Sequence, residues 1–117
     1  MKAVFILNDP PYGTERNYNA LRLVHALLKK EPQTEVTVFL VADAVVGAKA
    51  GQKPPDGYYN VERMLKRVLA GTGKLLVCGA CMDARGLDDA ALMQGARRST
   101  MDELAIATME ADKILVF

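Results

Sequence analysis

Cys78 and Cys81 are the only cysteines of the chain, three apart in the stretch Cys78-Gly79-Ala80-Cys81-Met82-Asp83-Ala84-Arg85-Gly86. A thiolate is a nucleophile toward disulfide and persulfide sulfur, and both CxxC spacing and a neighbouring cation lower a thiol's pKa and enlarge its thiolate fraction. Gly79 lets backbone N–H groups approach the first sulfur. Arg85 brings a fixed positive charge to the same loop, with Asp83 near it to position the guanidinium. This composition points to Cys78 as a nucleophilic thiol, to Cys81 as a second thiol in CxxC spacing, and to Arg85 as a group that binds an anion or stabilises the thiolate. Cys78 is also expected to be the faster of the two thiols toward an alkylating agent. The plain alternatives are a small buried hydrophobe at Cys78 and a surface charge at Arg85.

A second loop of unusual make-up, Asn8-Asp9-Pro10-Pro11-Tyr12-Gly13-Thr14, follows an earlier apolar run. In open parallel sheets, ligands bind beyond the carboxyl ends of the strands where the strand order reverses. A flavodoxin-like order, 2-1-3, would make the two loops flank one crevice, with Asp9, Tyr12 and Gly13 facing Cys78, Cys81 and Arg85. Asp43, Lys53 and Asp83 complete the candidate crevice, where Arg85 and Lys53 could hold a small anion.

The remaining chemistry-bearing residues exclude more than they suggest. One His and two Cys cannot assemble a four-ligand zinc site, so no metal is expected. Gly71-Thr72-Gly73-Lys74 lacks the GxxxxGK[ST] spacing and no GxGxxG exists, so neither nucleotide motif is present. A flavin site is disfavoured because Pro-Pro-Tyr replaces a hydroxyl-rich phosphate cradle, and no cofactor is expected. His25 reads as a partly exposed helical residue, and Met64, Met93, Met101 and Met109 as helical packing.

The elements that must position these loops alternate. Residues 3–7 and Glu35–Ala42 are apolar, β-branched runs of the kind buried on both faces of a parallel sheet. Lys74–Val77 leads into Cys78, and Lys113–Phe117 closes the chain; a short strand at Arg97–Ser99 is left open. Between them, Thr14 should cap a helix with apolar positions at Ala20, Leu21, Val24, Leu27 and Leu28. Asp43 should cap a short helix over Ala44–Ala50, and Asn60 one carrying Val61, Met64, Leu65, Val68 and Leu69. Asp88 should cap a short helix ending near Gly95, and Thr100 with Glu103 forms a capping box for the last. Strands alternating with helices predict a small doubly wound α/β domain over residues 1–117, with a mainly parallel sheet of about five strands and helices on both faces.

With 117 residues there is room for one core, and 50% hydrophobic with 25% charged residues is ordinary globular composition. Net charge is +1, with seven Lys and Arg against six Asp and Glu in residues 1–58 and eight against eight in 59–117. Neither half is a basic nucleic-acid face by composition. No apolar run approaches the roughly 20 residues of a membrane span, and no signal-peptide pattern opens the chain. A cytoplasmic protein is expected, with neither nucleic acid nor membrane as partner. Apolar strands and an almost wholly apolar Ala44–Ala50 suggest more apolar surface than one chain covers. Val45 and Val46 are therefore expected to pack partly against another subunit.

Several stretches in order resemble the DsrE/DsrF-like family, in particular its short stand-alone, YchN-type members. They are Asn8–Glu15, Asp43-Ala44-Val45, Gly51-Gln52-Lys53-Pro54 with Gly57-Tyr58, Cys78–Gly86, Asp102-Glu103-Leu104-Ala105 and Ala111–Phe117. The resemblance implies a doubly wound sheet, a homotrimer or homohexamer, and a sulfur-accepting cysteine in the loop after the third strand. In the sulfur-relay members that cysteine precedes an Arg-Gly pair, which places it at Cys78 before Arg85-Gly86. Cys81 is a departure from the relay proteins. The leading functional expectation is a sulfur carrier, possible as a sulfurtransferase, that takes sulfane sulfur from a protein donor as a Cys78 persulfide and passes it to an acceptor. A CxxC dithiol oxidoreductase and a non-catalytic anion-binding or assembly module are the alternatives.

Overall fold

The computed structural model describes residues 1–117. Its strands are β1 (Lys2–Leu7), β2 (Glu35–Leu40), β3 (Lys74–Cys78), β4 (Ala96–Ser99) and β5 (Lys113–Val116), and its helices α1 (Arg16–Lys30), α2 (Val61–Leu69), α3 (Gly79–Ala84) and α4 (Met101–Glu110). The five strands are all parallel in the order β4-β3-β2-β1-β5. The chain thus steps from β1 to β4 in one direction and then crosses back to β5. Right-handed crossovers put the connections between β1 and β4 on one face of the sheet and α4 on the other. The expected doubly wound architecture is present, but its strand order is not 2-1-3.

The core fills the space between the sheet and its helices. Phe5, Leu7, Val38, Phe39, Leu40, Leu75 and Val77 of the strands are at most 1% exposed, and Leu21, Val24, Leu65 and Val68 of α1 and α2 are 0% exposed. Burial of each such side chain is worth about 1.5–3 kcal/mol, which explains why the short, non-alternating strands are stable as a two-sided sheet. Asn60 caps α2 as expected, its Oδ1 accepting from the Arg63 N–H at 2.9 Å. Thr100 caps α4 through the Glu103 N–H at 3.2 Å. The reciprocal half of that capping box is missing because the Glu103 carboxylate is taken by Arg97 and Ser99.

Four local expectations are corrected. Thr14 does not cap α1; its hydroxyl donates to Asp9 Oδ2 at 3.0 Å, and Glu15 stands at the cap position without a side-chain bond. The segment after β2 is a 3-10 helix over Ala42–Ala48. It buries Val45 completely within this chain, while Val46 is exposed, so Val45 is unavailable to a second subunit. The helix expected from Asp88 to Gly95 is a single 3-10 turn, Asp89–Ala91. Backbone bonds from Ala50 N to Ala91 O at 2.9 Å and from Met93 N to Ala48 O at 2.8 Å draw that segment alongside the end of the first 3-10 helix instead. Packing is also not the fate of every methionine: Met93 is buried, but Met101 and Met109 of α4 are exposed.

Candidate functional site

Consecutive, adjacent strands whose outgoing connections leave on opposite faces open a crevice at their carboxyl ends. Here that point lies between β3, which continues into α3, and β4, which continues into α4. Cys78 is the last residue of β3, in register with Ser99, the last of β4. An open cleft of about 550 Å³ lies over this junction. One wall is Cys78, Gly79, Ala80 and Asp83; the other is Arg98, Ser99, Thr100 and Met101.

The Cys78–Gly86 stretch, read from the sequence as a loop, contains the short helix α3 beginning immediately after Cys78. The Cys78 residue is 4% exposed, and burial pushes its thiol above the ordinary value. The backbone N–H groups of Cys81 and Ala80 pull the other way, and the neighbouring Cys81 thiol raises the pKa further. The expected depression of the Cys78 pKa is therefore reversed, because removing a thiolate from water outweighs two backbone donors. Cys81 is half-buried, and its Sγ accepts from the Ala42 N–H at 3.2 Å. Ala42 has φ of 51°, the only non-glycine residue with positive φ. This left-handed conformation costs about 1–2 kcal/mol and aims its amide at the second sulfur.

Arg85 does not reach Cys78 in the way the sequence suggested. Its Nε and Nη2 bind Asp43 Oδ1 at 3.0 and 2.9 Å, and its Nη1 donates to the Cys81 carbonyl at 3.1 Å. Asp43 and Arg85 thus tie the turn after β2 to the end of α3. The cation at the cleft is Arg98, which sequence reasoning missed. Arg98 donates from Nη1 to the Gly79 carbonyl at 3.2 Å, from Nη2 to Asp83 Oδ1 at 3.0 Å and from Nε to Asp89 Oδ1 at 2.7 Å. These two carboxylates raise the Arg98 pKa, so it remains a cation throughout the accessible range. Its side chain lies so close to Gly79 that a Cβ there would meet Nη1 at 2.8 Å and Cγ at 3.0 Å. A side chain at position 79 would therefore displace Arg98, and the pair sets the backbone beside Cys78. The available signal was the unresolved strand at Arg97–Ser99, which delivers Arg98 and Ser99 to the crevice.

Asp9, Tyr12, Gly13 and Lys53 are not part of this cleft. β2 separates β1 from β3, so the loop after β1 packs elsewhere. Tyr12 Oη donates to Gln52 Oε1 at 2.6 Å and accepts from the Val61 N–H at 3.1 Å. Asp9 binds Thr14, and its carbonyl accepts from Asn17 Nδ2 at 2.7 Å. Gly13 takes φ of 99° to turn the chain toward α1. Lys53 is exposed beside Tyr12, Gln52 and Tyr58. His25 is half-buried, its Nε2 3.0 Å from the Met64 carbonyl, which fixes it as the donor. No group of three or more His, Cys, Asp and Glu side chains is placed to hold a metal ion, and no helix is long and apolar enough to cross a membrane.

The fold is an all-parallel five-stranded α/β sheet, here with a cysteine at its switch point, and comparison with known proteins supplies the family. The chain belongs to the DsrE/DsrF-like family, whose model matches residues 1–117. It is 40% identical to protein YchN of Escherichia coli over 116 residues, 99% of this chain and 98% of that one. The crystal structure of the E. coli protein superposes with a TM-score of 0.94 over the same shares of the two chains. Sulfurtransferase TusD of Salmonella typhi is 27% identical over 129 aligned positions, covering 100% of both chains. The structure of MTH1491 from Methanobacterium thermoautotrophicum, a protein of unknown function, is 15% identical with a TM-score of 0.77, covers 99% of this chain and 98% of its own, and shares the fold.

Proposed function

We propose that this protein is a sulfur carrier in which Cys78 holds sulfane sulfur as a persulfide. The observation that carries the reading is the position of Cys78: the carboxyl end of β3, in the cleft where β3 and β4 send their connections to opposite faces. Membership of the DsrE/DsrF-like family, with a 27% identical relative named as a sulfurtransferase, supports the same chemistry. The Cys78 thiolate attacks the outer sulfur of a donor persulfide, R–S–SH. The new S–S bond forms as the R–S to outer-sulfur bond breaks, and R–S⁻ leaves with the electron pair. Attack by an acceptor thiolate on the Cys78 persulfide reverses the exchange, with no net oxidation. Burial keeps the resting thiol protonated near neutral pH, so the reaction runs through a small thiolate fraction. The N–H groups of Cys81 and Ala80 are the donors that stabilise that anion. The Cys81 thiolate, one turn away on α3, attacks the inner sulfur and releases HS⁻ as a Cys78–Cys81 disulfide forms.

Intact mass after incubation with a sulfane-sulfur donor tests the reading. Cys81→Ser should gain the mass of one sulfur atom, wild type should show that gain or, where Cys81 has released the sulfur, a disulfide with free sulfide in solution, and Cys78→Ser should gain nothing. Loss of two hydrogens in wild type with no gain in Cys81→Ser would point to dithiol redox chemistry, and no change in any variant to a binding module.

The proposal extends to assembly, as a closed homotrimer or homohexamer, with the contact moved from the segment after β2 to α4 and β5. Met101, Ile106 and Met109 of α4 and Ile114 and Val116 of β5 are all between 48% and 84% exposed. β5 is an edge strand with one open side, and beyond Lys113 its Ile-Leu-Val run carries no charge, whereas Arg97 and Arg98 stand within the strand at the opposite edge. A second copy of this chain suits such a surface, and closed symmetry would cover each copy's patch. Met101 also lines the Cys78 cleft, which would put the sulfur site at the subunit boundary.

A further inference from the structure

The seven arginines of the chain divide into two groups. Arg16, Arg85, Arg97 and Arg98 each pair with a carboxylate. Arg22, Arg63 and Arg67 pair with none, and all three line one open pocket of about 360 Å³ on the outer side of α1 and α2. Arg22 has only a neutral partner, Asn19 Oδ1 at 3.1 Å, and lies 5.4 Å from the Tyr18 ring centroid. No carboxylate lines the pocket. The neighbouring Glu62 is turned away, holding the Gly51 and Gln52 N–H groups and Lys66. Three uncompensated guanidinium groups thus gather in a chain whose net charge is +1.

Beside Asn60 and Met64, the rest of the lining is aromatic: Tyr18, Tyr58, Tyr59 and His25. All four tyrosines form one stack, Tyr58 against Tyr59 at 4.7 Å and Tyr59 against Tyr18 at 4.5 Å, with Tyr12 behind them. Tyr59 is covered on both sides, whereas Tyr58 is half-exposed at the pocket mouth. His25 sits at the floor between the helices with its Nε2–H committed to Met64. Guanidinium forks match phosphate oxygens, an exposed tyrosine face suits a planar base, and the volume lies within the range of small-ligand sites.

We propose that this pocket binds a nucleoside phosphate, with the phosphate held by Arg22, Arg63 and Arg67 and the base against the Tyr58 ring. The site is separate from the Cys78 cleft and shares no lining residue with it. It stands or falls independently of the sulfur chemistry.

Calorimetric titration of the full chain with AMP, inorganic phosphate and adenosine, at one fixed low salt concentration, tests it. AMP should bind saturably and at least about tenfold more tightly than either phosphate or adenosine. Arg63→Gln/Arg67→Gln should weaken AMP by about tenfold or more, and Tyr58→Leu should erase its advantage over phosphate. Cys78→Ser should bind AMP like wild type. Both α2 arginines are exposed, so the fold should tolerate their replacement; Arg22→Gln, on the other helix, repeats the test should the double variant not fold. Absence of saturable binding, AMP binding no tighter than phosphate or adenosine, or arginine variants that bind AMP like wild type would each overturn the proposal.

Discussion

The loop after β1 and the stretch after β3 leave the same edge of the sheet, and both carry residues that invite a functional reading. Their structures diverge. In the first, the Tyr12 hydroxyl both donates and accepts, and Gln52 joins it to the Gly47 and Lys49 carbonyls at 2.8 and 2.9 Å. Glu62 holds the Gly51 and Gln52 N–H groups at 3.1 and 3.0 Å. That region is a knot of hydrogen bonds joining the loop after β1, the first 3-10 helix and the start of α2. In the second, a buried thiol faces an open cleft, and the cation lining that cleft, Arg98, is fastened to the backbone of Gly79. The difference is topological. β1 sends its connection to the same face as β2, whereas β3 and β4 send theirs apart and leave a gap between them.

The largest effect that would break this contrast is on sulfur loading. Cys78→Ser should abolish the mass gain from a sulfane-sulfur donor, while Tyr12→Phe should leave its extent unchanged; loss of loading in Tyr12→Phe would unite the two regions functionally. Ile114→Asp comes next. If α4 and β5 form the subunit contact, light scattering at micromolar concentration should show this variant as a single chain and Val46→Asp as assembled as wild type. The reverse pattern would return the contact to the segment after β2.

Tyr12→Phe should cost about 1–3 kcal/mol in urea unfolding, because it leaves the buried Val61 N–H without its acceptor. Arg98→Met should cost less stability but slow loading of Cys78 by about tenfold, an effect of misplacing the donors beside the sulfur. Arg98→Lys should restore only part of it, since a lysine cannot span Gly79, Asp83 and Asp89 together. Arg85→Ala should change the Cys78 pH–rate curve little, as its guanidinium serves Asp43 and the Cys81 carbonyl.

The smallest expected effect is the pH dependence of stability. The folded Cys78 pKa lies above its unfolded value, so its contribution is present in full below the unfolded pKa and is lost as pH rises through the folded one. The stability difference between wild type and Cys78→Ala should be constant below about pH 8 and shrink above it. Burial also reverses the expected order of the thiols: the half-buried Cys81 should alkylate faster near neutral pH than Cys78. A faster Cys78 would mean that its backbone donors outweigh its burial.

The residue pattern alone determined the alternation of strands and helices, because apolar runs, caps at Asn60 and Thr100, and breakers such as Pro32 act locally. It also singled out Cys78, since a thiol followed by glycine at the end of a strand is legible without neighbours. Local pattern carries no strand order. The assumed 2-1-3 arrangement brought Asp9, Tyr12 and Gly13 to the cysteines, and the observed β4-β3-β2-β1-β5 order removes them. The short, charged β4 has too little apolar pattern to announce itself, and Arg98 and Ser99 went unrecognised with it. Only the tertiary structure decided which arginine attends the cleft, that Val45 faces inward, and that burial raises the Cys78 pKa. Each depends on which distant segments share space, and that is set by the path of the crossovers rather than by spacing along the chain.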